Sequence, residues 1–427
     1  MDFKQSIPDS VLKVMLRLEN AGYSAYIVGG AVRDMLMGVE PHDYDITTDA
    51  TPEEIKAVFK GRSVTFAEKF GTITVLEGGD EFEVTTFRKE TGYSDSRHPD
   101  KVEWGKTIKE DLARRDFTIN AMAMDKDGSV IDPFGGMEDI ETPTIKCVGN
   151  PEDRFREDNL RILRAVRFAA LFKGECHIEP ETYNAICEYR DKPLTLSTER
   201  IRDEFTKMIT SHHPLGCFRE MSQIGILHQV LPEIKKLKED GILRYDRLVS
   251  EMDALRAIQK DANLRIGYLL SFVKTKDAEQ ILRRLKFSNK DQKEILFYAK
   301  NRYPQIYLQP YELRRFAAEN EELLPKLFGM QRTIEKYKHD VYGEKPWRCA
   351  EYVRVFCEKS LEDGTAILPS GLKINGNDLL ELGFKGEEIK EMKDYLYEEV
   401  LKYPELNVKE KLTSIAKDYA DKDEVER

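Results

Sequence analysis

Cysteine is scarce and unpatterned: the six residues at 147, 176, 187, 217, 349 and 357 form no CxxC pair and show no metal-ligand spacing. This excludes a zinc-ribbon framework, and reduced structural thiols in a cytoplasmic protein are the plain expectation. Histidine is also sparse, seven in 427 residues. Downstream of residue 145 the one HD pair is His339-Asp340, so the ligand set of an HD-type phosphohydrolase cannot be assembled there. No apolar run reaches membrane-spanning length, and MDFKQSIPDS lacks a charged segment followed by an apolar core. Neither a membrane span nor an export signal is expected. Fixed-period repeats and low-complexity tracts are missing too, which excludes solenoids and linker-rich chains.

What is present is a long chain with ordinary means to fold. A length of 427 residues with 41% hydrophobic content favours several domains over one core. The net charge of -11 argues weakly against a nucleic-acid partner, because binding depends on where lysines and arginines cluster rather than on their total. Up to about residue 145, β-rich runs alternate with helices. Residues 9 to 21 place Val11, Leu12, Met15, Leu16 and Leu18 on one helical face. Strands are expected at SAYIV (24 to 28), YDITT (44 to 48), GTITVL (71 to 76), EFEVTTF (81 to 87), INAMAMD (119 to 125) and VID (130 to 132), with helices at AVRDMLM and PEEIKAVF. After Pro151 the pattern becomes amphipathic and helical to the C-terminus.

Three clusters carry candidate chemistry. In HDYDI, Asp43 and Asp45 stand two apart at the opening of a strand, so both carboxylates point to one face roughly 6 to 7 Å apart, within reach of the same hard cations. A bare DxD is weak evidence, since an acidic chain produces that spacing by chance. Gly29-Gly30, at the end of an apolar strand, lets backbone approach a phosphate at a helix start, and Arg33 adds a guanidinium fork. RRDFTINA (114 to 121) brings two further arginines into the same region, and DPFGG (132 to 136) reads as a turn leaving the sheet. In RFREDNLRILRAVRFAA (154 to 170), Asp158, Arg161, Arg164 and Arg167 recur every third residue and form a slowly turning helical stripe. Three arginines with one early acid call for an anionic partner such as phosphate or nucleic acid. Asp158 and Arg161 pair an acceptor with a forked donor, able to hydrogen-bond a base edge without a template strand.

Taken together, GGAVRD (29 to 34), HDYDI (42 to 46), RRDFTINA (114 to 121), DPFGG (132 to 136), EDNLRILRAVRF (157 to 168) and LSTERIRDEF (196 to 205) resemble the motifs of the class II tRNA nucleotidyltransferases, the CCA-adding enzymes of the polymerase β-like nucleotidyltransferase superfamily. INGNDLLELGFKGEEIKEMKDYLYEEVLKYPELN (374 to 407) resembles that family's tail. The resemblance implies an α+β fold: a mixed-sheet nucleotidyltransferase head (1 to 145), then an all-helical neck (146 to 214), body (215 to 325) and tail (326 to 427). It implies that Asp43 and Asp45 bind catalytic Mg2+, with Glu83 a third carboxylate. Gly29, Gly30, Arg33 and Arg115 would hold the triphosphate of CTP or ATP. Asp158 and Arg161 would select the base, with Arg164 and Arg167 beside it. Glu199, Arg200 and Arg202 would stabilise the last neck helix. The implied partner is tRNA, held by acceptor stem and elbow, with the protein acting as a monomer or a homodimer.

Several alternatives remain at this level. Bacterial poly(A) polymerases share the head but resemble one another in an arginine-rich stretch where this chain has FAEKFGT (66 to 72). CC-adding relatives lack a flexible loop that RKETGYSDSRHPDKVEW (88 to 104) resembles, which favours full CCA addition and leaves A-only addition open. A DxD glycosyltransferase would explain the aspartates but leave the arginine stripe and RRDFTINA unused.

Overall fold

The computed structural model describes residues 3–67, 71–91, 101–172, 176–191, 196–233, 253–306, 308–347 and 349–426. Two compact units emerge, residues 1–244 with 284–286, and residues 245–283 with 287–427.

In the first unit, helix α1 (Asp9–Asn20) leads into β1 (Ala25–Val28), α2 (Gly30–Leu36), β2 (Asp45–Thr48), α3 (Pro52–Val58), β3 (Ser63–Ala67), β4 (Thr72–Glu77) and β5 (Asp80–Thr86). The hairpin β6 (Arg88–Thr91) and β7 (Lys101–Trp104) follows, then α4 (Ile108–Ala113), β8 (Ala123–Met124) and β9 (Val130–Ile131). Seven strands form one sheet in the order β3-β4-β5-β2-β1-β8-β9. Only the β2–β5 pair within it is parallel, with Ile46 opposite Val84. That register decides the site. Ile46 and Val84 point into the apolar core with Ile27, Ile73 and Val75, so Asp45 and Glu83, one residue earlier on each strand, both point to the other face.

Packing on α1 departs from the expected face. Val11, Val14, Met15 and Leu18 are buried, an i, i+3, i+4, i+7 set, whereas Leu16 faces solvent and Leu12 only flanks the core. The expected strand over INAMAMD shrinks to Ala123–Met124, because Thr118–Asn120 forms a 3-10 turn. That turn buries the Asn120 side chain against Arg33 and Asp116. β3 and the β6–β7 hairpin were not expected. The tip of the anticipated loop, residues 92 to 100, and Lys69 with its neighbours in FAEKFGT lie outside the described residues.

After Pro151 the described residues are mainly helical as expected; a two-residue parallel bridge pairs β11 (His177–Ile178) with β10 (Thr144–Ile145). The RFREDNLRILRAVRFAA segment is not one helix. It forms α5 (Pro151–Glu157) and α6 (Leu160–Ala169), broken at Asp158, whose backbone is extended at φ -150° and ψ 107°. Asp158 Oδ1 accepts the Leu160 N–H at 3.0 Å, a local bond that competes with helix continuation. Asp158 therefore stands outside the arginine stripe.

The second unit is built from helices. Ala262–Leu270 packs on Asn289–Lys300, where a Cβ at Gly267 would meet the Tyr298 Cβ at 2.6 Å and the Ile295 carbonyl oxygen at 2.8 Å, so only glycine permits that crossing. The C-terminal helices share a core that includes Leu379, Leu396, Val400 and Leu412. All six cysteines are free, and burial pushes the thiols of Cys147, Cys176, Cys217 and Cys357 up to about 12, as inert structural thiols require. No helix among the described residues is long and apolar enough to cross a membrane.

Candidate active site

An open cleft of about 800 Å³ lies where β2 and β5 emerge, and Glu40, Asp43, Asp45, Asp80, Glu81 and Glu83 give it an acidic wall. Asp43 precedes β2 and Asp45 begins it, both exposed to solvent. Tyr44 between them packs against the core, while His42 is exposed. Although water reaches Asp45, crowding by the cleft raises its carboxyl above the usual aspartate range; Arg115 opposes that rise and Asp43 adds to it. Glu83 is raised for the same reason, first by desolvation, then by Asp45 and Asp43. Three mutually repelling carboxylates thus face one space, an arrangement that a cation relieves.

No three His, Cys, Asp or Glu side chains among the described residues are gathered closely enough to hold a metal on their own. Glu83 accordingly does not complete a preformed three-ligand cluster. The donor set fits a hard cation that keeps part of its shell for water and phosphate oxygens, which is Mg2+ chemistry, and it does not fit a closed zinc cage.

Outside the lining of that cleft, but near enough for Arg115 to act on the Asp45 carboxyl, lies a basic and tightly built cluster. Gly29 ends β1 at φ +73°, a conformation that L side chains rarely adopt, and a Cβ there would come within 2.7 Å of Arg115 Nη1. Arg115 follows α4 and is fixed by Asp111, a fully buried carboxylate that also accepts from Arg114 Nε and Nη2 at 3.0 and 2.9 Å. The buried Nε–H of Arg115 has no hydrogen-bond partner among the described residues. Gly29→Ala is expected to add backbone strain of about 1 to 2 kcal/mol and to displace Arg115. Steady-state kinetics should show this as a raised KM for the nucleoside triphosphate; an unchanged KM would separate Gly29 from the site.

Arg33 is buried. Its Nε and Nη2 donate to Asp34 Oδ1 at 2.9 and 2.7 Å, and its Nη1 donates to Asn120 Oδ1 at 2.6 Å. Asn120 Nδ2 donates in turn to Asp116 Oδ1, and Asp116 Oδ2 accepts from Arg164 Nε at 2.7 Å. Arg167 Nε donates to Glu204 Oε2 at 2.6 Å from the helix α8 (Thr198–Thr210), which follows α7 (Pro180–Tyr189). Arg161, 9% exposed, donates to Glu157 Oε2 and to the carbonyl oxygens of Arg154 and Arg114. Asp158 Oδ2 accepts from Arg200 Nη2 at 2.7 Å. The anions that the arginine stripe calls for are therefore, in this structure, the protein's own carboxylates. Glu199 pairs with Lys286, and Arg202 donates to Asp203 and to the Lys286 carbonyl, so both tie the helix to residue 286. Sequence reading passed over Asp111, Asp116, Asn120 and Glu204. Asp111 stood four residues before Arg115, and the other three lay inside quoted motifs without a role.

Residues 25–146 match the model described as the poly A polymerase head domain, and residues 176–238 the one described as the probable RNA and SrmB-binding site of polymerase A. The CCA-adding enzyme of Enterococcus faecalis is 38% identical over 301 residues, which cover 67% of this chain and 71% of that one. The chain belongs to the CCA-adding enzyme family. A second CCA-adding enzyme, from Lactobacillus helveticus, is 47% identical over 216 residues, covering 50% of this chain and 53% of that one, so the match spans about half the length of this relative. The solved Bacillus stearothermophilus CCA-adding enzyme in complex with CTP superposes with a TM-score of 0.74 at 28% identity, over 98% of both chains. The mixed-sheet head with a mainly helical remainder is thus the fold of CCA-adding enzymes.

Proposed function

We propose that this chain is a CCA tRNA nucleotidyltransferase, which adds CMP and AMP from CTP and ATP to the 3'-hydroxyl of tRNA without a template. The observation that carries the reading is the cleft lined by Asp43, Asp45 and Glu83, with Arg115, whose buried Nε–H is unpartnered among the described residues, close enough to act on Asp45. The E. faecalis and B. stearothermophilus relatives support it. Asp43 and Asp45 would hold Mg2+, which would supply Lewis-acid stabilisation of charge on the phosphate oxygens. Arg115 and Arg33, whose guanidinium groups lie against Gly29 and Gly30 respectively, hold the triphosphate. The 3'-hydroxyl oxygen bonds to the α-phosphorus, the bond to the β-phosphate oxygen breaks, and pyrophosphate leaves. Glu83, its carboxyl raised, sits at the cleft edge to take up the hydroxyl proton.

Base choice falls to Asp158 and Arg161, with Arg164 and Arg167 beside them. For a base edge to bind there, it replaces Arg200 on Asp158 and Glu157 on Arg161. Asp158→Ala or Arg161→Ala should blur selection among nucleotides by about tenfold or more while changing triphosphate affinity little, because a lost hydrogen bond to a base edge is worth about 1 to 3 kcal/mol of discrimination. Misincorporation assays with each nucleotide alone check this; unchanged selectivity removes the two residues from the role. In functional terms we assign residues 1 to 145 to the catalytic head, 146 to 214 to the neck, 215 to 325 to the body and 326 to 427 to a tail that holds tRNA by backbone shape. Incorporation of labelled CMP into a tRNA transcript lacking its CCA end tests the whole reading, and a transcript left unextended with CTP and Mg2+ present overturns it.

A further inference from the structure

Three guanidinium groups converge on one ring. The guanidinium carbons of Arg33, Arg164 and Arg167 lie 5.3, 5.0 and 4.2 Å from the centre of the Phe168 ring. Phe168 itself is 3% exposed, and Phe117 braces it in a T-shaped contact at 5.7 Å. Arg33 comes from α2 beside the glycine turn, whereas Arg164 and Arg167 come from α6. The polar groups beside them form a chain: Asp34 holds Arg33, Asn120 joins Arg33 to Asp116, Asp116 holds Arg164, and Glu204 holds Arg167 and reaches Arg164 at 4.0 Å. None of those acids spans from Arg33 to Arg167. The ring does, since its negative faces attract every guanidinium placed over them.

We infer that Phe168 is a positioning residue that sets the distance between the phosphate-side arginine Arg33 and the base-side arginines Arg164 and Arg167, and so couples triphosphate grip to nucleotide choice. This rests on the functional reading above. An apolar side chain of similar volume would fill the space but exert no pull on the guanidinium groups. The chain through Asn120, Asp116 and Glu204 would still join the three arginines, but Arg33 would lose the one group that it shares directly with Arg167, and its distance to the base-side pair would loosen.

Replacing Phe168 with mono-, di- and trifluorinated phenylalanine tests this, because fluorine drains the ring's negative face while hardly altering its shape. Across the series KM for CTP and ATP should rise together by about three- to tenfold, with kcat within about twofold and selectivity against UTP and GTP falling in step. Phe168→Leu should match or exceed the trifluorinated protein. A flat series overturns the inference, since a merely space-filling ring is indifferent to fluorination. Calorimetric CTP binding on the same proteins should show the same gradient whether or not tRNA is extended, and a flat binding gradient overturns the inference on its own. Failure of wild-type protein to extend tRNA would instead overturn the functional reading, so the two failures are separately visible.

Discussion

Replacing both Asp43 and Asp45 with alanine is expected to lower nucleotide transfer by about 10³-fold or more, since the cleft loses the carboxylates proposed to hold Mg2+ and the charge developing at the reacting phosphorus goes uncompensated. Stability should move little or rise. Desolvation first and Asp43 after it push the Asp45 carboxyl up against the opposing pull of Arg115, so the folded state holds this charge at a cost. A group whose folded pKa is raised above its unfolded value favours folding as pH falls, and removing it relieves repulsion at neutral pH. Loss of activity with an undiminished melting temperature and intact tRNA binding by filter retention would identify the pair as catalytic. Retained transfer would sink the assignment of Mg2+ to these aspartates.

The second large effect concerns Asp116, the acid that joins Arg164 to Asn120 and, through Asn120, to Arg33. Burial works against its ionised form, but Arg164, Asn120 and the Phe117 N–H outweigh this and hold the carboxyl at about 2, below the ordinary value of 3.8. Such a depressed acid contributes stability that is fully present above its unfolded pKa and is lost as pH falls through its folded one. Asp116→Asn should therefore cost on the order of 2 kcal/mol at pH 7, equivalent to a fall of about 4 to 8 °C in the melting temperature of a unit this size. Between about pH 4 and pH 2 the difference from wild type should close. Because Arg164 and Arg33 lose their common anchor, nucleotide selectivity should suffer as well. Thermal melts of both proteins across that pH range check the sign, and a gap that persists at pH 2 would show that Asp116 acts through packing rather than charge.

Much of the head could be read from residue order alone. Apolar β-branched runs gave β1, β2, β4 and β5, and Gly29 marked a turn that in the structure sits at φ +73° with Arg115 against it. The DxD motif was ambiguous until the parallel β2–β5 register placed Glu83 beside Asp45. That pairing is long-range, and no local pattern specifies it. The arginine stripe illustrates the opposite failure. Its periodicity was real on α6, yet the partners proved to be Asp116, Glu157 and Glu204, two of them brought in from distant segments. Asp158 escaped its expected helix because one side-chain bond to Leu160 N–H outcompeted continuation, an effect invisible to a 3.6-residue average. In INAMAMD, satisfying the buried Asn120 amide overrode β propensity.

The central claim is that one active site, the acidic cleft together with the nearby arginine helix, both transfers a nucleotide and chooses it. Its most direct measurement uses three tRNA transcripts, ending before CCA, after the first C and after CC, each incubated with CTP, with ATP and with both. The account predicts C addition to the first two with CTP, A addition to the third alone with ATP, and a completed CCA end on all three with the mixture. Repeated addition of A to every transcript, or no extension of any, would contradict it.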